Sequence, residues 1–331
     1  MNNKILGRTG VAVSALCAGT LAFGGDADAA ESAAMYGACR DAGINFFDCA
    51  DTYAGGRAET VFGNLMAHER DELVITSKCG LPVGSGDSGD SGDYGAEASR
   101  QYITRAVEAS LARLGTDRLD IFLMHQWDPE TPLEETLRCL EDLLRAGKVL
   151  HLGASNYAAW QVAKGLGISE RLGSARFEVL QPMYNLIKRQ AESEIFPLAN
   201  HEQLVVTAYS PTAGGLLSGD YRDGKRPERG RLVVNREYAK RYGEVWVFEC
   251  AAQFADFAEA RGHHPVSLAV AWVAAHPDVT CPIIGALNLA QLKPSLQALD
   301  IEMTAELRAE ISRLSRQPAP ANDRSEAENS A

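Results

Sequence analysis

Basic residues are scarce relative to acidic ones in this sequence. The 331 residues include 32 Lys and Arg against 44 Asp and Glu, which gives a formal net charge of −12. A protein that binds the phosphate backbone of nucleic acids normally presents a basic surface, so the composition argues against nucleic-acid binding. Binding of a small anionic ligand is still compatible with it, because a helix N-terminus or a backbone nest can hold phosphate on an acidic protein.

Long apolar runs are also absent. No stretch approaches the roughly 20 apolar residues that a membrane-spanning helix needs, so we expect no membrane partner. Residues 11–23 come nearest to a signal sequence, but this stretch is short and is interrupted by Gly and Ser. A Gly-Arg-Thr-Gly turn precedes it, which favours a hairpin and a strand over a targeting segment.

The seven cysteines lack any framework that would pair them. No two have the Cys-x-x-Cys spacing of a redox or zinc site, and an odd number of scattered cysteines is typical of a reduced, cytoplasmic protein. We expect Cys49 and Cys79 to be small buried hydrophobic residues. The acidic segment at residues 84–95 lacks the alternate carboxylates and the distant Glu of a calcium loop, so we predict a solvated loop and no metal site.

Short apolar segments alternate with amphipathic helical patterns along the chain, which predicts repeated βα units. Near-continuous apolar character is typical of parallel strands buried on both faces. Eight such units favour an α/β fold closed into a (β/α)8 TIM barrel, with an N-terminal β-hairpin and long loops at the C-terminal face. An open doubly wound sheet is the alternative, but its Gly-x-Gly-x-x-Gly turn is missing at residues 19–24. The predicted strands are 15–19, 44–47, 73–76, 119–124, 149–153, 177–180, 204–208 and 281–284.

Helical periodicity is clear in two of the connecting segments. Apolar residues recur on one face of residues 100–114, and Gly115 follows as a stop signal. Thr131 and Glu134 have the spacing of a capping box, which predicts the start of a second helix.

Two segments break this alternation. Residues 209–242 are rich in Gly, Pro and Arg without clear periodicity, which predicts a long functional loop. Residues 318–331 are polar and rich in Ala and Pro, which predicts a disordered tail. We therefore predict a single barrel domain over residues 1–317.

Each predicted strand stops at a polar residue or a glycine. In a barrel the carboxyl ends of the strands converge on one mouth, where active sites lie. Any one of these residues has an ordinary structural explanation, such as a helix cap or a solvated strand end. Asp48 and Lys78, however, need each other at the mouth of a packed barrel, because either charge alone is costly to bury. The strand-end residues are Gly19, Thr20, Asp48, Lys78, His125, Ser155, Asn156, Gln181, Tyr209, Ser210 and Gly285.

Tyr53 follows the second predicted barrel strand and can reach the same mouth. We expect Lys78 to lower the pKa of Tyr53 from about 10, while burial opposes this. A Tyr with a pKa nearer neutral is a usable acid toward a carbonyl oxygen, or a base toward an alcohol. Asp48 would hold Lys78 charged, and His125 would hydrogen-bond the substrate oxygen or assist proton transfer. Because no side chain supplies hydride, the site needs a nicotinamide cofactor.

Three segments of the chain resemble one enzyme family, the aldo-keto reductases. Gly43-Ile-Asn-Phe-Phe-Asp-Cys-Ala-Asp-Thr-Tyr53 is similar to the family segment with the catalytic Asp and Tyr. Ile75-Thr-Ser-Lys78 is similar to the strand with the Lys, and Asp120-Ile-Phe-Leu-Met-His125 to the strand with the His. The likeness extends from Leu6-Gly-Arg-Thr-Gly10 to about Thr304. It implies an unsubstituted catalytic tetrad of Asp48, Tyr53, Lys78 and His125.

The resemblance also implies where the cofactor, NAD(P)H, binds. Gly153-Ala-Ser-Asn156 and Gln181 match positions that hydrogen-bond the nicotinamide carboxamide, and Tyr209 matches the aromatic residue on which the ring stacks. The small-residue loop that follows would approach the pyrophosphate through its backbone N–H groups. The implied contacts in these segments are Gly19, Thr20, Asp48, Ser155, Asn156, Gln181, Tyr209, Ser210, Thr212 and Gly214.

The segment that matches the family's adenosine 2′-phosphate site departs from the usual pattern. Relatives commonly carry Arg at the position of Leu287 or of Gln291, and Arg is the usual bidentate partner of phosphate. Without it, the choice between NADP and NAD stays open. Lys293 is near in sequence but is expected to point elsewhere. The implied contacts of this segment are Gly285, Ala286, Gln291 and Ser295.

The leading hypothesis is an oxidoreductase that interconverts a carbonyl and an alcohol, with a small-molecule substrate. An NAD-dependent sugar or alcohol dehydrogenase working mainly in the oxidative direction is the first alternative, favoured by the missing Arg. A non-catalytic, cofactor-binding regulatory subunit has less support, because the implied tetrad is complete. The substrate, the direction in vivo and the oligomeric state stay open. Candidate substrate contacts at the mouth are Phe23, Leu81, Trp127 and residues 221–242.

Overall fold

A closed barrel of eight parallel strands forms the centre of the computed structural model, which describes residues 3–81, 97–228 and 230–322. A short antiparallel hairpin, β1 (Asn3–Ile5) and β2 (Ala12–Ser14), precedes the barrel. Each barrel strand pairs with the next, and the last pairs with the first, which confirms the predicted (β/α)8 TIM barrel. All eight predicted strands are present, as β3 (Cys17–Gly19), β4 (Phe46–Asp48), β5 (Val74–Cys79), β6 (Leu119–Met124), β7 (Val149–Ser155), β8 (Phe177–Gln181), β9 (Val205–Ala208) and β10 (Cys281–Ile284).

Helices connect the strands on the outside of the barrel. The helix predicted at residues 100–114 is confirmed: the Ser99 side chain caps its start, and Gly115 adopts a φ of 63° at its end. Residues 231–274, which are largely helical, lie between β9 and β10. The helices are α1 (Ala29–Asp41), α2 (Arg57–Met66), α3 (Arg100–Leu114), α4 (Leu133–Arg145), α5 (Ala159–Leu172), α6 (Ile195–His201), α7 (Arg231–Val234), α8 (Arg236–Arg241), α9 (Val245–Ala260), α10 (Pro265–Ala274), α11 (Leu289–Leu296) and α12 (Ala305–Ser312).

Two sequence predictions about the connections need correction. Thr131 forms no capping box, because its hydroxyl donates to Asp128 Oδ2 at 2.8 Å and α4 begins at Leu133 without a side-chain cap. Residues 209–242 are more regular than predicted, since they contain α7 and α8. The Asn235 side chain caps α8 by accepting hydrogen bonds from two backbone N–H groups.

Apolar side chains form an inner and an outer core. The inner core fills the barrel and includes Phe46, Ile121 and Val205, and the larger outer core lies between the strands and the helices. Leu6 and Val13 of the hairpin region belong to the inner core, so the hairpin covers the N-terminal end of the barrel. The barrel is therefore open to ligands at the C-terminal ends of its strands.

The cysteines behave as core residues. All seven are unpaired and buried, and Cys49 and Cys79 are fully buried, which confirms that both are small hydrophobic residues of the core.

No helix in the described parts of the chain is long and apolar enough to cross a membrane. The predicted acidic loop at residues 84–95 and residues 323–331 of the predicted tail lie outside the described residues.

Candidate active site

Three neighbouring barrel strands bring predicted catalytic residues together at their ends. Asp48 is the last residue of β4, Lys78 lies near the end of β5, and His125 directly follows β6. Lys78 lies two residues beyond Thr76, which pairs with Asp48, and His125 lies two residues beyond Leu123, which pairs with Lys78. Because side chains alternate along a strand, an offset of two keeps all three on the inner face of the barrel.

Lys78 is fully buried and lies at the centre of the site. Its Nζ donates to Asp48 Oδ2 at 2.7 Å, to the Cys49 carbonyl at 2.7 Å and to the Tyr53 hydroxyl at 3.0 Å. These bonds use all three donors of an ammonium group. Burial alone would lower the pKa of Lys78, but the charge of Asp48 and the contact with Tyr53 outweigh it and raise the pKa above its ordinary value. Lys78 is therefore a fixed positive charge.

Tyr53 reaches this group through a left-handed turn between β4 and α2. Ala54, Gly55 and Gly56 have φ angles of 51°, 65° and 87°. Glycine adopts such angles freely, whereas an alanine rarely does, so Ala54 is a strained residue beside the site. The Lys78 Nζ also lies 4.8 Å from the centre of the Tyr53 ring. The turn thus holds both the hydroxyl and the ring of Tyr53 against the ammonium.

The pKa of Tyr53 is raised, contrary to the sequence-based expectation. Burial disfavours the phenolate and raises the pKa of Tyr53 above its ordinary value, outweighing the opposing charge of Lys78. Tyr53 is therefore protonated at neutral pH. Because Lys78 donates to the Tyr53 oxygen, the hydroxyl proton itself is directed to another acceptor.

His125 is held as a neutral imidazole at the same mouth. Burial, with a smaller contribution from the charge of Lys78, lowers the pKa of His125 to about 3. Its ring meets the Tyr53 ring edge-on, with centroids 6.0 Å apart. The buried Nδ1 atom has no partner among the described residues. His125 can therefore offer a hydrogen bond at this mouth without carrying a charge.

The predicted nicotinamide-binding residues form one hydrogen-bond network with the predicted catalytic residues. Gln181 Nε2 donates to Asp48 Oδ1 at 2.7 Å. Asn156 Nδ2 donates to the His125 carbonyl at 2.9 Å, and Asn156 Oδ1 accepts from the Tyr209 hydroxyl at 2.7 Å. Asn156, Gln181 and Tyr209 line one cavity of about 210 Å³. The sequence located these residues at the mouth but did not reveal that they bond to Asp48 and His125.

The loop after β9 has a conformation that suits an anion. Ser210, Ala213 and Gly214 have φ angles of 57°, 54° and 67°, and the Thr212 carbonyl accepts two backbone N–H bonds that close the turn. Runs that mix left- and right-handed residues direct backbone N–H groups into a concave nest. Tyr238 packs directly on this loop, since a Cβ at Gly214 would lie 2.7 Å from its ring.

Two guanidinium groups flank Tyr238, and sequence reasoning did not single them out. The Cζ of Arg231 lies 5.1 Å, and that of Arg241 4.7 Å, from the centre of the Tyr238 ring. Arg222, in the same connection, is paired with two carboxylates. In the described part of the chain no carboxylate pairs with Arg231 or Arg241. Positive charge is thus available beside the loop after β9, on a protein that is acidic overall.

Four residues that were predicted to contact ligands are buried in this structure. The Thr20 hydroxyl donates to the Asp48 carbonyl at 3.1 Å, and the Ser155 hydroxyl donates to the Gln181 carbonyl at 3.0 Å. Ser295 is 3% exposed within α11, and Phe23 belongs to the outer core. Their contacts with ligands stay predictions, because strand-end position does not reveal which side chains the connecting segments cover.

Aromatic residues form part of the rim of the mouth. Trp127 meets Tyr157 and Trp160 edge-on, with ring centroids 5.3 Å and 5.7 Å away. Trp160, in the first turn of α5, is 58% exposed. The carbonyl of Leu81 accepts a hydrogen bond from the Tyr102 hydroxyl at 2.9 Å, which ties the end of the described segment after β5 to α3.

The segment predicted to receive the adenosine end of the cofactor leads from β10 into α11. Gly285 and Gln291 are exposed, and Ala286 is half-buried. Gln291 Oε1 accepts the Leu287 backbone N–H at 3.2 Å. Gly19 lies where β3 meets β10, since a Cβ there would contact Ile283 and Ile284. Residues 285–291 carry no cationic side chain, as the sequence indicated.

A buried acidic cluster behind Tyr53 was missed by sequence reasoning. Glu59 is fully buried and accepts hydrogen bonds from Ser77 and from Arg113, at 2.5 Å and 2.7 Å. Burial and the charge of Glu59 raise the pKa of Asp51 to about 8. Arg113 also lies against Gly56, where a Cβ would come within 3.0 Å of it. The cluster therefore supports the turn that presents Tyr53.

Comparison with known families agrees with this geometry. A model of the aldo/keto reductase family matches residues 15–316. The chain belongs to the aldo/keto reductase family. The match spans the whole barrel and the tetrad positions, so the resemblance inferred from the three sequence segments is confirmed.

Several curated proteins are similar to this chain along most of its length. "Uncharacterized oxidoreductase YrpG" of Bacillus subtilis (strain 168) is 32% identical over 93% of this chain and 94% of its own. A "Probable voltage-gated potassium channel subunit beta" of Oryza sativa subsp. japonica is 35% identical over 91% and 92%. "Aflatoxin B1 aldehyde reductase member 2" of Rattus norvegicus is 33% identical over 85% and 79%. The relatives therefore include oxidoreductases, in agreement with an enzyme.

Proposed function

We propose that this aldo/keto reductase interconverts an aldehyde or ketone and the corresponding alcohol, with NAD(P)H as the hydride source and Tyr53 as the general acid or base. The observation that carries the proposal is the contact of the Lys78 ammonium with both the Asp48 carboxylate and the Tyr53 hydroxyl. A fixed, desolvated charge beside a phenol stabilises the phenolate that proton transfer leaves behind.

Tyr53 is suited to the reductive direction. Its raised pKa keeps the hydroxyl protonated at neutral pH, and Lys78 leaves that proton free for a substrate oxygen. As a carbonyl gains hydride, negative charge develops on its oxygen, and the proton of Tyr53 neutralises that charge. Neutral His125 would hydrogen-bond the same oxygen and orient it toward Tyr53.

The residues present fit an anionic dinucleotide. Among the described residues no carboxylate pairs with Arg231 or Arg241, so both side chains suit a pyrophosphate, as do the left-handed residues of the loop after β9. Tyr209 offers a ring beside Asn156 and Gln181 for a nicotinamide. When bound, the reduced nicotinamide supplies the hydride. The segment 285–295 would receive the adenosine end.

A substitution that removes one oxygen atom tests the proposal. Tyr53→Phe is expected to reduce turnover of aldehydes by about 100-fold or more, because general acid catalysis contributes about 100- to 10,000-fold. The measurement is the loss of absorbance of NADPH or NADH with a panel of aldehydes and ketones. Tyr36→Phe is the matched control, since the Tyr36 hydroxyl bonds to Glu69 outside the site. Unchanged turnover by Tyr53→Phe would overturn the assignment.

An NAD-dependent sugar or alcohol dehydrogenase is the second candidate. The observation that favours it is the absence of a cationic side chain at Leu287 and Gln291, where a 2′-phosphate would need one. Oxidation of sugars and alcohols with NAD, measured in parallel with aldehyde reduction, separates the two. Faster oxidation with NAD than reduction with NADPH would favour the dehydrogenase.

A cofactor-binding regulatory subunit is the third candidate, because relatives named as probable potassium channel β subunits align over most of the chain. Such a subunit would bind a nicotinamide dinucleotide without Tyr53-dependent turnover. Turnover that Tyr53→Phe abolishes would exclude a purely non-catalytic role.

We also place the enzyme in the cytoplasm, with a small carbonyl compound or alcohol as its partner. All seven thiols are unpaired. Free thiols persist in a reducing compartment, whereas oxidising compartments favour disulfides.

A further inference from the structure

A carboxylate already occupies the start of α11. Glu31, in the first turn of α1, accepts the backbone N–H of Leu289, the first residue of α11. Asn288 caps the same helix by accepting the N–H of Gln291 at 2.9 Å. Two side chains of the protein therefore bind two of the N–H groups that a helix N-terminus otherwise offers to an anion.

The charge of Glu31 is not neutralised by a neighbour. In the described part of the chain no Lys, Arg or His forms an ion pair with Glu31. Of the two carboxylate oxygens of Glu31, only Oε1 accepts a hydrogen bond there. Lys293 lies in the last turn of α11, at the opposite end of the helix from Glu31. The partial positive charge of the helix start is thus balanced by a carboxylate.

A 2′-phosphate and a 2′-hydroxyl respond to this carboxylate in opposite ways. A phosphate placed at the start of α11 would meet a like charge and two N–H groups that are already bonded, and residues 285–291 supply no Arg to compensate. A ribose 2′-hydroxyl could instead donate to the free Oε2 atom of Glu31. An acidic side chain that accepts from the ribose is a known physical means of preferring NAD over NADP.

We infer that Glu31 is a specificity-determining residue that selects NAD over NADP. The inference rests on the proposed function, in which the segment 285–295 receives the adenosine end of the cofactor. Glu31 acts on binding of the adenosine half and takes no part in proton or hydride transfer.

Calorimetric titration of the intact protein tests the inference with NAD, NADP, 5′-AMP and 2′,5′-ADP (adenosine 2′,5′-bisphosphate). The last two ligands differ only in the 2′-phosphate, so their comparison reports on that group without turnover. The wild-type protein is expected to bind 5′-AMP more tightly than 2′,5′-ADP, and NAD more tightly than NADP. Glu31→Gln keeps the side-chain shape and an acceptor for Leu289. It is expected to shift the NADP-to-NAD affinity ratio toward NADP by about tenfold, because it removes one nearby negative charge.

Glu306→Gln is the matched control, since it removes a carboxylate from the first turn of α12 and is expected to leave both affinities unchanged. A wild-type preference for NADP overturns the inference, and so does an equal NADP-to-NAD affinity ratio in the wild type and Glu31→Gln. The proposed function still stands in either case if turnover depends on Tyr53. Binding of neither dinucleotide overturns both. Thermal unfolding of Glu31→Gln verifies that the variant is folded.

Discussion

At the residue scale, Tyr53 and His125 are both held in their uncharged forms beside the charged Lys78. Burial lowers the pKa of His125 to about 3, whereas burial raises the pKa of Tyr53 above its ordinary value of 10. The first shift keeps a base unprotonated, and the second keeps an acid protonated. Neither group therefore changes its charge across the ordinary working range.

Carbonyl reduction is expected to be independent of pH from about pH 5 to about pH 9. Activity would fall in acid only when His125 gains a proton, near pH 3, and in alkali only when Tyr53 loses one, above pH 10. The measurement is kcat/KM for an aldehyde at constant ionic strength. A fall of kcat/KM toward acid with an apparent pKa of about 6 to 7 would show that His125 ionises in that range and would contradict the structure.

The sequence identifies these residues but not their ionisation. Asp48, Lys78 and His125 could be predicted because each interrupts an apolar run at the end of a strand. The direction of the Tyr53 shift could not, since it depends on how far the folded chain removes water from the hydroxyl. The bond between Gln181 and Asp48 was also beyond prediction, because it crosses the barrel between strands 133 residues apart.

At the scale of secondary-structure elements, α2 and α3 pack without room for a side chain at Gly63. A Cβ built at Gly63 would lie 2.6 Å from the carbonyl oxygen of Leu114 and 2.8 Å from the Cα of Leu114. The neighbouring atoms belong to the backbone and cannot rotate away. Because α2 directly follows the turn that carries Tyr53, this contact also fixes the position of the turn.

Gly63→Ala is expected to lower the free energy of unfolding by about 2 kcal/mol or more, through overpacking against the α3 backbone. Gly37→Ala in α1 is the matched control, since a Cβ there meets no atom within 4 Å. The control should raise stability by about 0.5 to 1 kcal/mol, as alanine favours a helix. Denaturant unfolding measures both, and equal stability of the two variants would show that the α2–α3 contact is less tight than described.

Elements with strong local signals were predictable, and those fixed by tertiary contacts were not. The buried strands and α3 have apolar patterns and stop signals that agree with their final environment. The region around Thr131 has the pattern of a capping box, yet Asp128 competes for its hydroxyl and also binds Ala98 across the mouth. α7 and α8 are short and gain their order from packing on the loop after β9, which no periodicity shows.

At the scale of the whole molecule, the barrel closes along a seam formed by β9, β10 and β3. β10 pairs with β3 and with β9 through two residue pairs each, fewer than the pairs that join β5 to β6. Tyr209, Gly285 and Gly19 lie at the upper ends of these three strands. A dinucleotide bound as proposed would therefore bridge the first and last strands of the barrel.

A bound dinucleotide is expected to raise the unfolding temperature of the whole protein by several degrees. A ligand at 100 times its dissociation constant contributes about 2.7 kcal/mol when it binds only the folded state. Thermal unfolding with NAD and with NADP measures the effect, and inorganic pyrophosphate at equal ionic strength controls for general anion binding. An unchanged midpoint with both dinucleotides at millimolar concentration would argue against the proposed cofactor.

Aldehydes condense with uncharged primary amines to form imines, and a lysine beside a carbonyl-binding site is exposed to that side reaction. Lys78 escapes it because its nitrogen makes three hydrogen bonds and its raised pKa keeps it an ammonium, which has no lone pair for attack. The hydrogen bonds that orient Tyr53 thus also make the nearest amine unreactive. The pocket can hold an electrophilic substrate without being covalently modified by it.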